Sequence, residues 1–558
     1  TSNIVPSISW YYNFKKANDH FLNNYFSSIN WGSLLQYSDI EATIETFYSI
    51  VHEAIDICTP KTSKPNIHFP VWFKPNTVKL VNKKRRLFSL YRSTLNVTHY
   101  NHFKAVRRLA KAAIKEDHDN YICFVENNVH NNTKVFFNYV NSKSRNSKSS
   151  VPKNMHYQDL HSSDPQTIAN MFAKYFKSVY DSNVNNHNPE LNPSLFLNNV
   201  NLHDIDLNPD LIRNKLLILK PSLNPGPDGI PPYFLNQCAS SLAWPVFLLY
   251  RKSIDTGICP SIWKQSHVIP LHKTGDKSEV TNYRPISIIS ALCKGLESII
   301  SEQLIRLYRN ILSPYQHGFL PSRSTVTNLA IYNEFIIDAF EDGCQVDSVY
   351  LDFSKAFDRV NHALLMKKLW YLGICGQLHT WIFSYITNRI QIISLKGFLS
   401  DPLLIPSGVP QGSHLGPILF LLFINDLAVS LSTSNLLLFA DDLNIFSKIS
   451  SCEDCYRLQA ALDVTTKWCI NNNMMLNNDK CKIITFSRKL CNYVFAYAVN
   501  NKLLERVNEI KDLGIVFDSE LRFNSHMDYI IDKSYRVSGF IKRMTRDFHC
   551  VAAVRKLF

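Results

Sequence analysis

Apolar positions along the chain fall into strand-like and helix-like periods, and one pair of strands stands out. Between Asn435 and Phe446 (NLLLFADDLNIF) the run Leu436, Leu437, Leu438, Phe439 and the set Leu443, Ile445, Phe446 flank Asp441 and Asp442. The pattern predicts strand, tight turn, strand. The apolar flanks would bury both strands and leave two carboxylates together at an exposed tip. Like charges held side by side are costly unless a cation joins them, and carboxylate oxygens suit Mg²⁺. An Asp-Asp pair is also expected about once by chance in a chain this long, so the pair alone is weak evidence.

Other periodic stretches supply that company. Val349, Tyr350 and Leu351 predict a buried strand that ends at Asp352, with a helical pattern directly after it. An acid at a strand end can supply the third carboxylate of a two-ion site. Asp358, six residues on, reads as a helix cap or a salt-bridge partner. The stretch His267–Ile288 reads as a strand and turn with Lys273 and Arg284 on either side, so a hairpin could bring a point charge and a planar fork to one phosphate. Each cation taken singly reads as a surface charge. Pro406–Leu427 is rich in Gly and Pro around Gln411, letting backbone approach a ligand closely, and an apolar helix follows from Ile418. Lys480 or Lys482 precedes a further strand within Leu476–Phe486. Helical patterns at Thr167–Tyr180 and Pro209–Lys220 lead to a rigid turn-rich loop, Asn224–Pro232, and polar Asn141–Ser150 marks a linker and domain boundary.

Composition narrows the function classes. With 558 residues and 45% hydrophobic content the chain can bury a sizeable core, and a net charge of +14 favours a polyanionic partner, nucleic acid first. Eleven cations from Lys79 to Lys115, among them Lys83, Lys84, Arg85, Arg86, Arg107 and Arg108, occur with no acid between them. Phe88, Tyr91, Tyr100 and Phe103 interleave with them. A basic groove with aromatic platforms for a single strand and an ordinary solvated helix face with core aromatics are equally weighted readings; KKRR at Lys83–Arg86 is also compatible with nuclear import. The longest apolar run, Leu415–Ile424, is too short to span a membrane. Thirteen scattered cysteines fit buried thiols in a reducing compartment, and the close pair Cys452 and Cys455 reads as a helix start rather than a zinc site. No GxxxxGK[ST] occurs. The first residues lack a signal peptide, and with no Met at position 1 the sequence is expected to be a fragment.

Taken together, LDFSKAFD, SGVPQGSHLGP and FADD, in that order, with NYRPIS, QHGFLPSRST (Gln316–Thr325), NPGPDGIP and DLGIVFD (Asp512–Asp518) around them, resemble a reverse transcriptase. In detail they resemble the polymerase of non-long-terminal-repeat retrotransposons of the Jockey and related clades. The resemblance implies an α+β right-hand polymerase of fingers, palm and thumb with a helical N-terminal region. It implies that Asp352, Asp441 and Asp442 bind two Mg²⁺, with Mn²⁺ as substitute, that Lys273 and Arg284 grip the incoming triphosphate, and that Gln411 contacts nucleotide and template. Phe357 would be the gate that excludes a ribose 2′ hydroxyl, Lys480 the proton donor to pyrophosphate with Lys482 as fallback, and DLGIVFD the primer grip. The partners implied are an RNA template, a DNA primer or target, deoxynucleoside triphosphates and an endonuclease from an upstream region or another protein, with no membrane; the setting is a cytoplasmic ribonucleoprotein and the nucleus. Expected boundaries are a basic, linker-like helical region over 1–150, an extension over 151–252, fingers and palm over 253–518, and the start of a truncated helical thumb over 519–558. Competing readings are an RNA-dependent RNA polymerase, disfavoured by Phe357, and a decayed mobile-element remnant that only binds nucleic acid.

Overall fold

Two faces of one strand organise the larger part of the chain. Along Gln345–Asp352 alternate side chains point to opposite sides. Val346 and Tyr350 join a cluster with Tyr332, Ile336, Phe446 and Phe486, while Val349 and Leu351 join a larger core with Leu443, Ile445, Phe420 and Trp468. The strand is central in a five-stranded sheet whose order is Asn435–Phe439, Asp442–Ile449, Gln345–Asp352, Lys482–Phe486, Glu505–Val507. Neighbours are antiparallel except for the last, parallel pair. The strand-turn-strand expected at Asn435–Phe446 and the strand ending at Asp352 are both present.

These observations come from a computed structural model that describes residues 10–36, 39–63, 69–143, 151–180, 200–489 and 492–558. The expected linker at Asn141–Ser150 lies outside these residues beyond Lys143, where the helix Thr133–Lys143 ends. Helix Leu415–Ser430 is apolar on all sides and almost wholly buried, so it runs through the core and not over its surface. Beside it, Lys368 in helix His362–Tyr371 is fully buried. Its ammonium lies 2.8 Å from Asp426 Oδ1 and 2.7 Å from the Phe423 carbonyl, over the rings of Phe423 and Trp468.

A second five-stranded sheet runs Leu403–Ile405, Arg389–Leu395, Gln265–His272, Tyr283–Ile288, with Phe398–Leu399 added on Arg389–Leu395. Gln265–His272 and Tyr283–Ile288 form the antiparallel hairpin expected from His267–Ile288. Helix Pro165–Val179 packs on this sheet through Phe172, edge-on to Tyr283 at 5.1 Å.

Both sheets belong to one compact unit, residues 12–61 with 150–523; residues 1–11, 62–149 and 524–558 make a second. The single region expected over 1–150 is therefore divided. Phe26, Trp31 and Phe47 enter the large core with Phe234 and Leu242. A buried network fixes this attachment: Tyr48 donates to Asp228 at 3.1 Å, Trp263 donates to Tyr48 at 3.1 Å, and Ser290 donates to Asp228 at 2.5 Å. Apolar burial, and not charge, decides where residues 12–61 go.

In the second unit, helices Pro75–Thr94 and Val97–Asn128 form an antiparallel hairpin. Phe88 meets Phe103 at 4.9 Å and Tyr91 meets Tyr100 at 5.0 Å, so the aromatics pack the two helices together. The basic side chains stay mostly exposed and make no ion pair among the described residues. The Asn524–Met544 helix belongs to this unit. After it Met544, Phe548 and Leu557 pack on Ile122, Val125 and Tyr139. Cys452 and Cys455 open the helix Cys452–Asn471 behind a Ser451–Asp454 capping box, the helix start the sequence suggested. All described cysteines are free, and no described helix is long and apolar enough to cross a membrane.

Removing one partner of a buried ion pair strands the other charge. Lys368→Met should destabilise the unit by about 3–5 kcal/mol in chemical denaturation, and the double change Lys368→Met/Asp426→Leu should recover most of that loss. A single variant as stable as the wild type would contradict this reading.

Candidate active site

The two carboxylates meet because of strand register. Asp442 is the first residue of its strand and stands directly opposite Asp352, the last residue of the neighbouring one. Alternation puts both on the same sheet face, and Asp441 sits in the turn just before Asp442. The turn is entered through Ala440, whose φ of +60° is unusual for a residue with a side chain. Gln316 holds it there: its carboxamide accepts from Ala440 N at 2.9 Å and Gly318 N at 2.8 Å and donates to Ala440 O at 3.3 Å. Gly318 is required by close approach, since a Cβ there would lie 2.3 Å from Ala440 N.

Burial and mutual repulsion shape the charges. Burial first, then the charges of Asp441 and Asp352, push Asp442 up to about 6, against the pull of Lys273 and Lys480. Although Asp442 meets solvent on one side, it lines a cavity of about 250 Å³ and is surrounded by protein elsewhere. Asp441 is likewise raised by burial and by Asp352, with Arg284 and Lys273 opposing. Asp512, from the strand Glu509–Asp512, lines the same cavity and is pushed up to about 7 by burial and by Asp442. The sequence reading placed Asp512 at the start of DLGIVFD without giving it this neighbour.

Cations face the acids. Lys480 Nζ lies 2.8 Å from Asp352 Oδ2, whereas Lys482 pairs with Glu505. Arg284 stands opposite Leu271 in the hairpin, and Lys273 follows two residues on, its amide bonded to Asn282 O at 2.9 Å. Burial first and then the charges of Arg284, Lys480 and Lys355 push the Lys273 ammonium down, as expected where four cations converge. Lys355 has a φ of +55°, and its ammonium donates to the Tyr175 hydroxyl at 3.1 Å.

The loop carrying Gln411 is pinned on two sides. Val409 N bonds to Phe357 O at 2.8 Å, and Ser287 N bonds to Gln411 O at 3.0 Å. Gly412 has a φ of +106°, and a Cβ there would lie 2.7 Å from Ser287 O. The Gln411 Nε2 donates to Asp358 Oδ1 at 2.8 Å. Asp358 is thus neither a helix cap nor a salt-bridge partner: it is buried, pushed up to about 6 by that burial, and bound to Gln411. The Phe357 ring stacks on Phe420 at 4.4 Å and meets Phe319 edge-on at 6.1 Å.

Three adjacent carboxylates supply the hard oxygen donors that a divalent cation takes. The raised pKa values of Asp441 and Asp442 reflect burial and the crowding such a cation would relieve, and the Lys480 ammonium already rests on Asp352 as a positive group. Among the described residues, no three His, Cys, Asp or Glu side chains converge as a finished metal cage. Lys83, Lys84, Arg85, Arg86, Arg107 and Arg108 lie in the other compact unit, on the helical hairpin.

The family described as reverse transcriptase (RNA-dependent DNA polymerase) matches residues 271–517, which hold Asp352, Asp441, Asp442 and Asp512 with Lys273, Arg284, Lys355 and Lys480, but not the cations of the helical hairpin. The chain is thus similar to this family over those residues, somewhat less than half of its length. It is similar to the RNA-directed DNA polymerase from mobile element jockey of Drosophila melanogaster, with 31% identity over 296 residues, 51% of this chain and 32% of that protein. Against the protein of the same description from Drosophila funebris the identity is 29% over 353 residues, 61% of this chain and 37% of that one. The chain spans about a third of the length of these relatives. A solved apo telomerase from Candida Tropicalis, truncated from its C-terminal domain, is 13% identical with a TM-score of 0.35, covering 47% of this chain and 54% of that one, below the level that establishes a shared fold.

Because Asp442 titrates higher in the folded chain than its ordinary 3.8, the folded state binds the extra proton between 3.8 and about 6 and loses stability as pH rises through that window. Asp442→Asn should raise the melting temperature near neutral pH without divalent ions, and the gain should shrink as pH falls from 6 toward 4. A gain that is independent of pH, or a loss at neutral pH, would contradict the assigned repulsion.

Proposed function

We propose that the chain catalyses RNA-directed DNA synthesis, extending a DNA primer on an RNA template with deoxynucleoside triphosphates. The observation that carries this reading is the register that sets Asp442 opposite Asp352, with Asp441 in the turn and Lys273, Arg284 and Lys480 facing them. In a right-hand polymerase the sheet containing these acids is the palm, the sheet of Gln265–His272 and Tyr283–Ile288 belongs to the fingers, and the helix Asn524–Met544 begins the thumb. Residues 253–518 are read as fingers and palm and 151–252 as the extension before them.

Asp352, Asp441 and Asp442 would hold two Mg²⁺, with Mn²⁺ able to substitute; when bound, such ions activate the primer 3′ hydroxyl and stabilise the leaving pyrophosphate. Lys273 and Arg284 bind the triphosphate. Lys480, whose Nζ lies 2.8 Å from Asp352 Oδ2, would be the group that gives a proton to the pyrophosphate oxygen. With its Nε2 committed to Asp358, Gln411 offers Oε1 as an acceptor to nucleotide or template. Phe357, backed by Phe420 and Phe319, resists the displacement a ribose 2′ hydroxyl would demand. The exposed cations Lys83, Lys84, Arg85, Arg86, Arg107 and Arg108 support a nucleic-acid contact whose aromatics are spent on helix packing. Such chemistry belongs in a cytoplasmic ribonucleoprotein and the nucleus, with target nicking by an endonuclease. The intact, charge-complemented acids support an active enzyme over a decayed binding remnant.

Primer extension on an RNA template with Mg²⁺ and deoxynucleotides tests the reading. Wild type should synthesise DNA and Asp441→Asn/Asp442→Asn should lose at least about 10³-fold; no synthesis by the wild type would contradict it. Phe357→Val should raise ribonucleotide incorporation on the order of tenfold, and unchanged sugar selectivity would remove Phe357 from the gate.

A further inference from the structure

A cavity of about 670 Å³ lies beside Ser313–Arg323, with none of the three acids in its lining. Arg309, His317, Arg323 and Thr327 line it together with apolar Leu312 and Ile331, and no acid does. Neither arginine makes an ion pair among the described residues. Two uncompensated guanidinium groups in one cavity favour an anionic occupant.

Arg323 is held in advance. Its Nη1 donates to the Pro314 carbonyl and, at 3.2 Å, to His317 Nε2. The Thr327 hydroxyl donates to Ser324 O at 2.9 Å and so accepts from His317 Nδ1 at 2.8 Å. That fixes His317 as the neutral tautomer whose free lone pair meets Arg323, and burial and Arg323 both push its pKa down. The other N–H groups of the guanidinium have no partner among the described residues, which leaves part of a rigid fork available to a phosphate.

The cavity wall is also continuous with the candidate active site. His317 N bonds to Leu438 O at 2.8 Å and Leu438 N to Tyr315 O at 3.0 Å, laying this segment along the strand that leads into the Asp441 turn. Phe319, in the same segment, touches the Phe357 ring. A strand passing the acids would have an anion-binding, partly apolar recess beside it, with volume for one nucleotide.

We propose that this cavity holds one nucleotide of a single-stranded nucleic acid, its phosphate on Arg309 and Arg323 and its base against Leu312, Leu320 and Ile331. The proposal rests on the reading that the chain handles nucleic acid, and not on its polymerase activity. RNA and DNA strands share this chemistry, and the experiment separates them.

Fluorescence anisotropy with a short single-stranded RNA and the matching DNA, over a series of salt concentrations, tests it. Arg309→Ala/Arg323→Ala should weaken binding on the order of tenfold and reduce the slope of log K against log salt by about 0.7, one phosphate contact on a single strand. Arg323→Lys, keeping the charge without the fork, should recover only part of the loss. A loss with RNA assigns the RNA strand, a loss with DNA the DNA strand. The Arg309 side chain makes no hydrogen bond among the described residues, so Arg309→Ala alone, expected to weaken binding and to lower the slope by less than the full value of about 0.7 for that phosphate, keeps the test valid if the double variant misfolds. Unchanged affinity and slope on both strands, with the wild type binding normally, would overturn the cavity assignment and leave the polymerase reading standing. Failure of the wild type to bind either strand would overturn both.

Discussion

Repulsion among closely set, partly enclosed carboxylates is the constraint on which the rest depends. Three acids at the end of one sheet resist being together, and the fold keeps them there by rigid backbone: a full antiparallel register between Asp442–Ile449 and Gln345–Asp352, and a turn held at Ala440 by Gln316. Neither device carries charge. The positive groups that would relax the repulsion come from other elements, Lys273 and Arg284 from a second sheet and Lys480 from the loop before Lys482–Phe486. The site is thus an energetically unfavourable arrangement stabilised by its surroundings, the condition under which ligand binding returns free energy to the protein.

The same logic runs outward. Asp358 is buried, with the charge of Lys355 only partly offsetting that burial, and it accepts from Gln411, so a carboxylate that cannot ionise freely orients an amide at the rim. Phe357 is braced from two sides, by Phe420 from the core helix and by Phe319 from the segment that carries Gln316. One stretch, Tyr315–Phe319, therefore touches both the turn that carries the acids and the ring proposed as the sugar gate. Its farther side opens into the cavity lined by Arg309 and Arg323.

What was legible in the sequence follows the range of the interactions. Strand alternation around Asp441 and Asp442, and the strand ending at Asp352, are local patterns and appear as expected. Local pattern left Lys480 and Lys482 open and only the resemblance favoured Lys480; in the structure Asp352 pairs with Lys480 and Glu505 with Lys482. Gln316 gave no signal of its clamp, since its partner lies 124 residues away and a neutral amide bonding to backbone leaves no compositional trace. Asp358 was misread because an acid near a helix start is ordinarily a cap, and only its burial rules that out. Residues 12–61 carry apolar spacing without chemistry, so their membership of the main core depended on partners such as Phe234 and Leu242 that sequence spacing does not identify. The aromatics among the basic residues of the helical hairpin meet across its two helices, Phe103 buried and Phe88 and Tyr100 still exposed on one side.

The most direct test is diffraction at the manganese absorption edge from crystals of the protein with a primer–template and a nonhydrolysable deoxynucleotide. The account predicts two anomalous peaks about 3.5–4 Å apart, ligated by Asp352, Asp441 and Asp442, with Lys480 moved off Asp352. A lone peak, or ions bound elsewhere while Lys480 still holds Asp352, would contradict it.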